Sequence, residues 1–549
     1  MKEQRFIWLS LGLGTFIGCA VLSPLEDIEP AGPDTAAAGG GGARDGGGSG
    51  GGDAGPDAAT AACTTHAECG ERFADQESRC RSSDGTCVRL KTQACPGVYG
   101  DWRDPNAVYF GALAPLVNQS LDGSQPVRNY RMAHEELNGD SIGGLPPAEA
   151  GGARRPLVMI VCNNHSALIE DALTHLVEEV QVPGVIAHLL PGDLLDAFEA
   201  HGLPNDTFFL SPVGAVDALL IDNDDGLLWH LLGQPSDLVP TYAAVLDRAE
   251  RRIRATPGFS GDLKLAAVRG QGDGEAFAED LSSAFLDDGS VRLNGNSLVE
   301  EFEAERFATF TLSGPDVAST AQQIAEFGPD VVLSLGSAHF VGLIVELEQL
   351  WNGLLDKPRP FTILSPIDAG RVEELQDFMG VMQRNDIDPS PHDRFVGINV
   401  AGSPDRETYV RYLSRLRSRF PMSEEEHENF YDAVYYLAYA MFAGSAEGRL
   451  DGPAVREGML RLVGAPDAKR FGVGPSEIID VFEALKDPKS IIALDGVTGP
   501  PDFDPKTGAR VDTGSLYCFN PNLSVSFSVE RFEPEAGAFE GSFDCFAGF

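Results

Sequence analysis

The stretch RPLVMIVCNNHSALIEDALTHLVEEV, residues 155–180, contains one complete strand, loop and helix. Its first half is a continuous apolar run, which predicts a strand that is buried on both faces of a sheet. After a short polar loop, apolar residues recur at helical spacing up to Val180. A buried strand followed directly by a helix is the repeating unit of a parallel sheet covered by helices. The stretch therefore predicts an α/β fold.

The same unit recurs on both sides of this stretch, in two sets. The first set of apolar runs is AVYFGALAPL (107–116), RPLVMIVCNN (155–164), VPGVIAHLL (182–190) and DTFFLSP (206–212). The second set is LKLAAVRG (263–270), SVRLNGNS (290–297), PDVVLSLG (329–336) and RPFTILSP (359–366). Helical segments separate the runs, so we predict two parallel sheets of the same kind.

Three further segments connect or follow these sets. LLWHLLGQPSDLVPTYAAVLDRAERRI (227–253) predicts a link between the sheets that leads into a helix capped by Ser236 or Asp237. After the second set come RFVGINV (394–400) and two strong helical patterns, DRETYVRYLSRLRSRF (405–420) and HENFYDAVYYLAYAMFAG (427–444). The chain is expected to return to the first lobe there.

The stretch VRGQGDGEAF, residues 268–277, is similar at first sight to a turn that binds dinucleotides. Its glycines stand at 270, 272 and 274, whereas the G-x-G-x-x-G fingerprint requires the third glycine at the position of Glu275. A carboxylate there, beside Asp273, would lie where the pyrophosphate belongs. We therefore predict a strand, a turn and a helix with no nucleotide, and we expect no cofactor.

Catalytic and metal motifs are incomplete in this sequence. HEELN, which starts at His134, begins like a zincin helix, but Asn138 replaces the second histidine, so we expect an exposed helix face. Neither a GxSxG elbow after a predicted strand nor a P-loop lysine is present. His165, His188 and His339 each follow a predicted strand, but three separate loops would have to aim them at one metal. We therefore expect neither a metal site nor an enzymatic activity.

The charge balance narrows the choice of partners. The 549 residues include 83 acidic and 41 basic side chains, which gives a formal net charge of −42. Such a surface repels phosphate backbones, so nucleic acid is a poor partner. The 43% of hydrophobic residues are enough for a sizeable core.

The amino terminus predicts export and a lipid anchor. Lys2 and Arg5 precede the apolar run FIWLSLGLGTFIG and then Cys19, which is the layout of a lipoprotein signal peptide over residues 1–18. A membrane span would need about 20 apolar residues; a plain anchor or an unmodified, cleaved signal are the alternatives. Residues 19–62 predict a lipidated, flexible Gly/Ala-rich linker. Ala20 after the cysteine favours anchoring in the outer membrane. The folded part of the protein would then lie in the periplasm or at the cell surface.

The remaining eight cysteines are an even number, which suits disulfides in an oxidising compartment. Four of them lie in a polar module at 63–95, where bridges replace a core: Cys63, Cys69, Cys80 and Cys87. Zinc is the rival reading because His66 lies among them, but no CxxC pair is present. We expect Cys518 to pair with Cys545, and Cys95 to pair with Cys162 if their strands are neighbours.

Four motifs in order carry a family resemblance: GALAPL (111–116), WHLLGQPSD (229–237), YDAVYYLAYAM (431–441) and above all LDGVTGPPDFDPKTGARV (494–511). Residues 105–525 thereby resemble the type I periplasmic binding proteins, in particular the branched-chain amino acid receptors of ABC transporters. The resemblance implies two Rossmann-like lobes with parallel sheets, joined by three crossovers near 234–240, 399–404 and 495–505. Lobe 1 is expected to comprise 105–235 and 402–494, and lobe 2 to comprise 236–401 and 495–549.

In such a fold, a small molecule binds beyond the carboxyl ends of the strands. The candidate ligand-binding residues at these ends are Asn163, Asn164, His165, His188, Ser211, Gln271, Asp273, Gly336, Ser337, His339 and Asp368. The serine-containing loops that clamp amino acids in the family are replaced by AHLLPGDLL (187–195) and LSPVGAVDAL (210–219), and only Ser211 corresponds. The usual aromatic of the second lobe is replaced by GQGDG (270–274).

These observations predict an extracytoplasmic solute-binding lipoprotein that captures an amino acid, an amide or a similar small polar molecule. Its partner would be an ABC permease, and its contact with the membrane would be through the lipid alone. The alternative is a sensory or surface interaction lipoprotein that keeps the binding fold without a transport role. The long linker, the added cysteine module and the altered clamp motivate this second reading.

Overall fold

The protein is described by a computed structural model, which covers residues 62–545 apart from 75, 82, 117–119, 150, 215–223, 272–275, 355–357, 370, 386, 389, 401–406, 422–426, 446–447, 466, 512, 534–535 and 542–544. The predicted signal peptide, Cys19 and nearly all of the predicted linker lie outside the described residues. Asp273 also lies outside them.

The cysteine-rich module is a helix packed on a hairpin. It contains α1 (His66–Arg72), β1 (Ser78–Arg81) and β2 (Thr86–Arg89). The bridges Cys63–Cys80 and Cys69–Cys87 lie at its centre. Together with Phe73, these cysteines form a small buried cluster of their own, since so short a segment cannot bury a larger core.

The first sheet follows the module. Its strands are β3 (Gly97–Tyr99), β4 (Val108–Ala114), β5 (Leu157–Asn163), β6 (Gly184–Ile186), β7 (Phe208–Gly214) and β8 (Leu228–Leu232). The helices between them are α2 (Gln125–Leu137), α3 (Ile169–Leu173) with its π-helical continuation Thr174–Val180, and α4 (Pro191–Ala197) with the π-helical turn Phe198–Gly202 and the 3₁₀ turn Leu203–Asn205. β4 and β5 are buried along their whole length, as the continuous apolar runs predict.

The second sheet begins after a long helix. The helices of this region are α5 (Val239–Ala255), preceded by the 3₁₀ turn Pro235–Leu238, then α6 (Ala276–Asp287), α7 (Leu298–Glu303), α8 (Ala318–Phe327), α9 (Phe340–Leu354), α10 (Pro366–Ala369) and α11 (Val372–Arg384). Its strands are β9 (Leu265–Gly270), the small hairpin β10 (Arg292–Leu293) and β11 (Asn296–Ser297), β12 (Phe307–Leu312), β13 (Val331–Ser334), β14 (Phe361–Leu364) and β15 (Phe395–Asn399), the last preceded by the 3₁₀ turn Pro391–Arg394.

The chain then returns to the first sheet and ends on the second. The returning helices are α12 (Glu407–Arg419), α13 (Glu428–Gly444), α14 (Gly452–Met459) and α15 (Ile478–Leu485), with the parallel pair β16 (Lys469–Gly472) and β17 (Ile492–Asp495). Their buried residues belong to the same core as β4–β8. Finally β18 (Ser515–Phe519), β19 (Val525–Glu533) and β20 (Ala538–Gly541) extend the second sheet in antiparallel fashion.

The two sheets have the same internal order. The parallel strands lie in the order β5-β4-β6-β7-β8 in the first sheet and β12-β9-β13-β14-β15 in the second. Counting the parallel strands alone, the second along the chain is outermost in both sheets, followed by the first, third, fourth and fifth, which is the doubly wound order of flavodoxin-like sheets. The predicted fold class, two doubly wound α/β lobes, is confirmed.

One glycine of the second sheet is required by close packing. Gly397 lies opposite Tyr517 in the register of β15 and β18, and the phenol ring of Tyr517 covers it. A Cβ atom at position 397 would collide with that ring. The Tyr517 hydroxyl reaches the carbonyl of Ser365 at 3.3 Å, so the ring ties the added antiparallel strands to the parallel ones.

Both bridges between distant cysteines that the sequence suggested are present. Cys95 is bonded to Cys162 at the end of β5, and Cys518 to Cys545 beside β18.

Three local predictions are corrected by the structure. SVRLNGNS was expected to be a strand of the sheet, but it forms the isolated hairpin β10–β11, and β12 takes its place. LLWHLL belongs to the predicted link, yet residues 228–232 form the fifth parallel strand of the first sheet. His134 was expected on an exposed face, but it is buried, and its Nε2 atom lies 2.9 Å from the carbonyl of Leu157.

The chain passes between the two sheets three times. It leaves the first sheet after β8, where the Gln234 amide donates to Asp237 at 3.1 Å before α5 begins. It returns after β15 through residues 401–406, which lie outside the described part of the chain. The third passage runs from β17 to β18, and its residues Phe503 and Ala509 form bridges with Arg510 and His230 respectively.

The third passage is held by one buried carboxylate. Asp432, in the middle of α13, accepts hydrogen bonds from the amides of Val497 (2.9 Å) and Thr498 (2.8 Å) and from the Thr498 hydroxyl (2.6 Å). Gly496 leaves the space that this carboxylate occupies, since a Cβ there would collide with it. Arg510 donates to the Thr498 carbonyl at 3.2 Å from the other side.

Replacing this carboxylate should destabilise the protein markedly. Asp432→Ala leaves three buried donors without an acceptor, so we expect the free energy of unfolding to fall by about 3 kcal/mol or more. Urea denaturation followed by circular dichroism measures the change. Asp480→Ala, at an exposed position on α15, is the matched control. Equal stability of the two variants would contradict the role assigned to Asp432.

Candidate functional site

The carboxyl ends of the parallel strands place the candidate site. In a doubly wound sheet, ligands bind outside these ends, where adjacent strands have their connections on opposite faces. The strand order puts that point between β4 and β6 in the first lobe and between β9 and β13 in the second. His188 follows β6, while Gln271 follows β9 and Gly336 follows β13. We call this the carboxyl edge of each lobe.

Two asparagines join neighbouring loops at the carboxyl edge of lobe 1. Asn163 is 9% exposed, and its Oδ1 atom accepts from the amides of Leu116 (3.5 Å) and His165 (3.1 Å). The Asn164 side chain donates to the carbonyl of His188 at 2.9 Å. The structure therefore brings together the loops after β4, β5 and β6, and the asparagines serve as links between them.

An aromatic cluster lies beside these loops. The ring of His188 is 4.7 Å from that of Phe430, and the ring of His427 is 5.5 Å from it on another side. Phe430 itself is buried and packs edge-on against Tyr130 of α2. The two half-buried imidazoles therefore lie against one buried ring, where β6 meets the first turn of α13.

Both imidazoles of this cluster are neutral at pH 7. Burial, with a contribution from His427, lowers the pKa of His188 to about 3, and burial lowers the pKa of His427 to about 4. The Nδ1 atom of His188 is buried and has no hydrogen-bond partner. A neutral imidazole can accept a hydrogen bond at one nitrogen and donate at the other, so the cluster can bind a polar group without introducing charge.

Ser211 is fully buried, and its hydroxyl is bonded within its own strand, near the end of β7. Its hydroxyl lies 3.3 Å from the amide of Val213, which donates to it. Beside it, the Asn429 side chain donates to the carbonyl of Pro212 at 2.6 Å. The start of α13 is thereby tied to the end of β7 as well as to β6.

At the carboxyl edge of lobe 2, the loop after β13 is tightly folded. Gly336 has φ +95°, and its carbonyl accepts from the amide of Gly270 at 2.7 Å. Its positive φ favours glycine, and a Cβ there would lie only 3.0 Å from Ile367. Ser337 is buried and accepts from the amide of His339 at 3.2 Å. Burial and nearby Arg371 lower the pKa of the half-buried His339.

Asp368 is directed into lobe 2. Its carboxylate accepts from the amide and the hydroxyl of Ser365, both at 2.7 Å, and these bonds cap the short helix α10. Burial raises its pKa to about 6. Only 2% of Asp368 is exposed, whereas Gln271 is exposed.

A residue just beyond the carboxyl edge of lobe 2 contacts lobe 1. Ala276, the first residue of α6 in lobe 2, packs against the core of lobe 1. Among the candidate residues of lobe 1, Asn163 is hydrogen-bonded to His165 and Asn164 to His188, whereas Ser211 is hydrogen-bonded to Val213 of its own strand. In lobe 2, Gly270 is hydrogen-bonded to Gly336. The structure does not bring Asp368 to the same surface, because that side chain is enclosed in its own loop.

Sequence reasoning missed His427, Asn429 and Phe430. The signal was available in HENFYDAVYYLAYAM, since a helix that is apolar on nearly all sides must be enclosed and its first turn must meet the surrounding strand ends. The sequence does not show which strand ends the first turn of α13 contacts, and only the structure identifies them.

Within the described residues, metal-ligating side chains come close together in the cysteine-rich module. The cluster found there consists of Cys63, Cys69 and Cys80, with ligand atoms within 4.8 Å of one another, and these cysteines are in disulfides. His165, His188 and His339 do not belong to such a cluster.

Within the described ranges, no helix is long and apolar enough to cross a membrane.

Comparisons with known proteins find similarity in fold at low sequence identity. No protein-family profile matches the chain, and no curated protein sequence matches it. Among solved structures, an ABC transporter substrate-binding protein from Desulfitobacterium hafniense in complex with leucine is 15% identical, covers 76% of this chain and 100% of its own, and has a TM-score of 0.48. The leucine-binding protein of Thermotoga maritima is 12% identical, with 76% and 97% coverage and a TM-score of 0.49.

A third similar structure is the branched-chain amino acid transporter substrate-binding protein of Streptococcus pneumoniae in complex with isoleucine. It is 15% identical to this chain, the match covers 76% of this chain and 98% of that one, and the TM-score is 0.47. The strand order itself shows that the chain forms two doubly wound α/β lobes, as the sequence predicts.

The buried histidines make stability sensitive to acid. His230 is fully buried, neither ring nitrogen has a partner, and burial lowers its pKa to about 3 from an ordinary 6.5. Below pH 6.5 the unfolded chain therefore binds a proton that the folded chain does not. The free energy of unfolding should fall as the pH drops from 6.5 towards 3, by about 2 kcal/mol at pH 5 for this one group.

His230→Leu should remove this share of the acid sensitivity and raise stability at pH 7. His230→Asn is the control, because it removes the titration but keeps an unpartnered polar side chain, so it should lose the acid sensitivity without the gain at pH 7. Denaturation midpoints between pH 5 and pH 8 separate these effects. A pH dependence that is identical in both variants and the unsubstituted protein would refute the assignment.

Proposed function

We propose that this protein is an extracytoplasmic solute-binding protein that captures a small polar molecule in a cleft between its two lobes and carries out no chemistry. The observation that supports this most is the pair of doubly wound sheets with the same strand order, with Ala276, just beyond the carboxyl edge of lobe 2, packed against the core of lobe 1. Open parallel sheets bind ligands at this edge, and two lobes joined by crossovers can close on a ligand by hinge motion.

The lobe 1 half of the cleft would recognise the solute through His188 and His427. Both are neutral and partly accessible, and they lie against the buried ring of Phe430. Asn163, Asn164 and Ser211 would act indirectly, because their polar atoms hold the loops in place. Such a surface suits an uncharged polar group, for example a carboxamide, or the amide or side-chain end of an amino acid.

The lobe 2 half would be supplied by Gln271, Gly336, Ser337 and His339, with Asp273 as a further candidate from the sequence. Asp368 would contribute as a cap of α10 and so position the loop that follows β14.

We further propose that Cys19 is lipidated after removal of residues 1–18, and that the protein functions outside the cytoplasm at a membrane, with an ABC permease as its partner. The sequence Lys2 to Cys19 supports the anchor, and the four disulfides support an oxidising compartment. A sensory or surface role is the alternative, which is favoured by the cysteine-rich module that is packed onto lobe 1.

A thermal-shift screen of the full chain against amino acids, amides and short peptides tests the capture of a solute. A compound present at 100 times its Kd should stabilise the protein by about 2.7 kcal/mol and raise the melting temperature accordingly. Small-angle X-ray scattering should then show a smaller radius of gyration with the same compound. A panel without any stabilising compound would argue against capture of these solutes.

His188→Leu should weaken binding of the stabilising compound by tenfold or more, because the variant cannot hydrogen-bond a polar group at this position. Isothermal titration calorimetry measures the dissociation constant. Glu199→Ala, at an exposed position on the outer side of lobe 1, is the control and should leave the affinity unchanged. An unchanged affinity in the His188 variant would remove this residue from the site.

A further inference from the structure

The cysteine-rich module continues directly into lobe 1. Val88 and Leu90, at the end of β2, belong to the main hydrophobic core of lobe 1 and not to the small cysteine cluster. Seven residues after Leu90 the chain enters β3, which pairs antiparallel with β5. Between the two, Cys95 is bonded covalently to Cys162. The connection is therefore part of the lobe 1 sheet.

The hairpin of the module also caps a helix of lobe 1. Arg81 donates to the carbonyls of Glu178 (3.2 Å) and Glu179 (3.0 Å), at the end of the π-helical turn Thr174–Val180. These carbonyls have no acceptor role inside the helix, since they belong to its last turn. A cation at a helix carboxyl end is also favoured by the helix dipole. Ser83 adds a bond to the side chain of Gln181 at 2.7 Å.

Two aromatic contacts and one imidazole fix the module from other directions. The guanidinium of Arg79 lies 4.4 Å above the ring of Tyr109 in β4. Gly70 of α1 leaves room for the indole of Trp102, which a Cβ at this position would approach to 3.3 Å. The Nε2 atom of His175 lies 3.2 Å from the carbonyl of Leu90.

These contacts lie at the amino ends of the strands. Tyr109 is the second residue of β4, and Gln181 precedes β6. A helix that connects two parallel strands runs back from the carboxyl edge, so the end of Thr174–Val180 that Arg81 caps is at the amino edge. The helix and hairpin of the module therefore lie on the side of lobe 1 opposite Asn164 and His188, whereas the segment that follows them reaches the carboxyl end of β5 at Cys95.

We infer that the cysteine-rich module is a fixed base of lobe 1, which attaches the chain preceding Ala62 to the side of the lobe away from the cleft. Arg72 holds Ala62 itself, by donating to its carbonyl at 2.7 Å. The base keeps lobe 1 stationary relative to that attachment. If the proposed function holds, lobe 2 is consequently the lobe that moves when a solute is captured; the base itself does not depend on that function.

Hydrogen–deuterium exchange of the full chain tests whether the module is fixed. Arg81→Ala should increase exchange about tenfold in peptides covering 174–182, because the last turn of the helix loses its cap. Arg89→Ala is the matched control, since this arginine lies over Phe73 within the module itself. Equal exchange at 174–182 in both variants would overturn the inference.

A second measurement does not depend on a variant that could misfold. Fluorophores attached to non-natural amino acids at the exposed positions 67 and 199 report the distance between module and lobe 1. A fixed base predicts one narrow distance distribution, and a broad distribution would overturn it. A pair at 67 and 316 reports lobe 2, and only this pair should respond to a solute. A narrow distance distribution for the 67/199 pair, together with a 67/316 distance that no solute changes, would count against the proposed capture. The inference of a fixed base would then still hold.

Discussion

The buried carboxylate of Asp432 fixes the route by which the chain passes for the third time between the lobes. Its three hydrogen bonds hold the backbone at Val497 and Thr498 against the middle of α13, a helix enclosed by the lobe 1 core. Since a buried donor without an acceptor is costly, this part of the passage cannot move freely relative to lobe 1. Any bending between the lobes must therefore occur beyond Thr498 or in the other passages.

The same helix also builds one wall of the candidate site. Phe430 lies two residues before Asp432 and supports the imidazoles of His188 and His427. Further along α13, the hydroxyl of Tyr435 donates to Glu136 of α2 at 2.7 Å, and Arg415 of α12 reaches the same carboxylate at 2.9 Å. One helix thus carries both the contact that holds the third passage and one wall of the candidate site, and its polar contacts with Glu136 fix its rotation.

Much of this arrangement could be predicted from the sequence, because the buried parallel strands have continuous apolar runs that only a covered sheet can accommodate. The errors have local causes. SVRLNGNS has the composition of a strand, but its Asn-Gly pair makes a two-residue turn, and the edge strand β12 was overlooked. β8 was not recognised as a strand, because LLWHLL continues without a break into the turn that precedes α5.

The candidate site was predictable only in part. Positions such as His188 follow from strand ends, whereas the actual use of each polar atom depends on its neighbours. Ser211 bonds within β7, Asp368 caps α10, and Asn164 links two loops. His427 and Phe430 reach the site from a helix more than 200 residues further along the chain than Ser211. Such a contact depends on the packing of α13 against the sheet, which no local pattern encodes.

Mapping hydrogen–deuterium exchange with and without a stabilising small molecule would test the central claim most directly. Capture between two lobes predicts that the solute slows exchange at both carboxyl edges together, in peptides containing Asn164 and His188 of lobe 1 and in peptides containing Gly336 and His339 of lobe 2. Slowed exchange in one lobe alone, or only at surfaces remote from both edges, would contradict it.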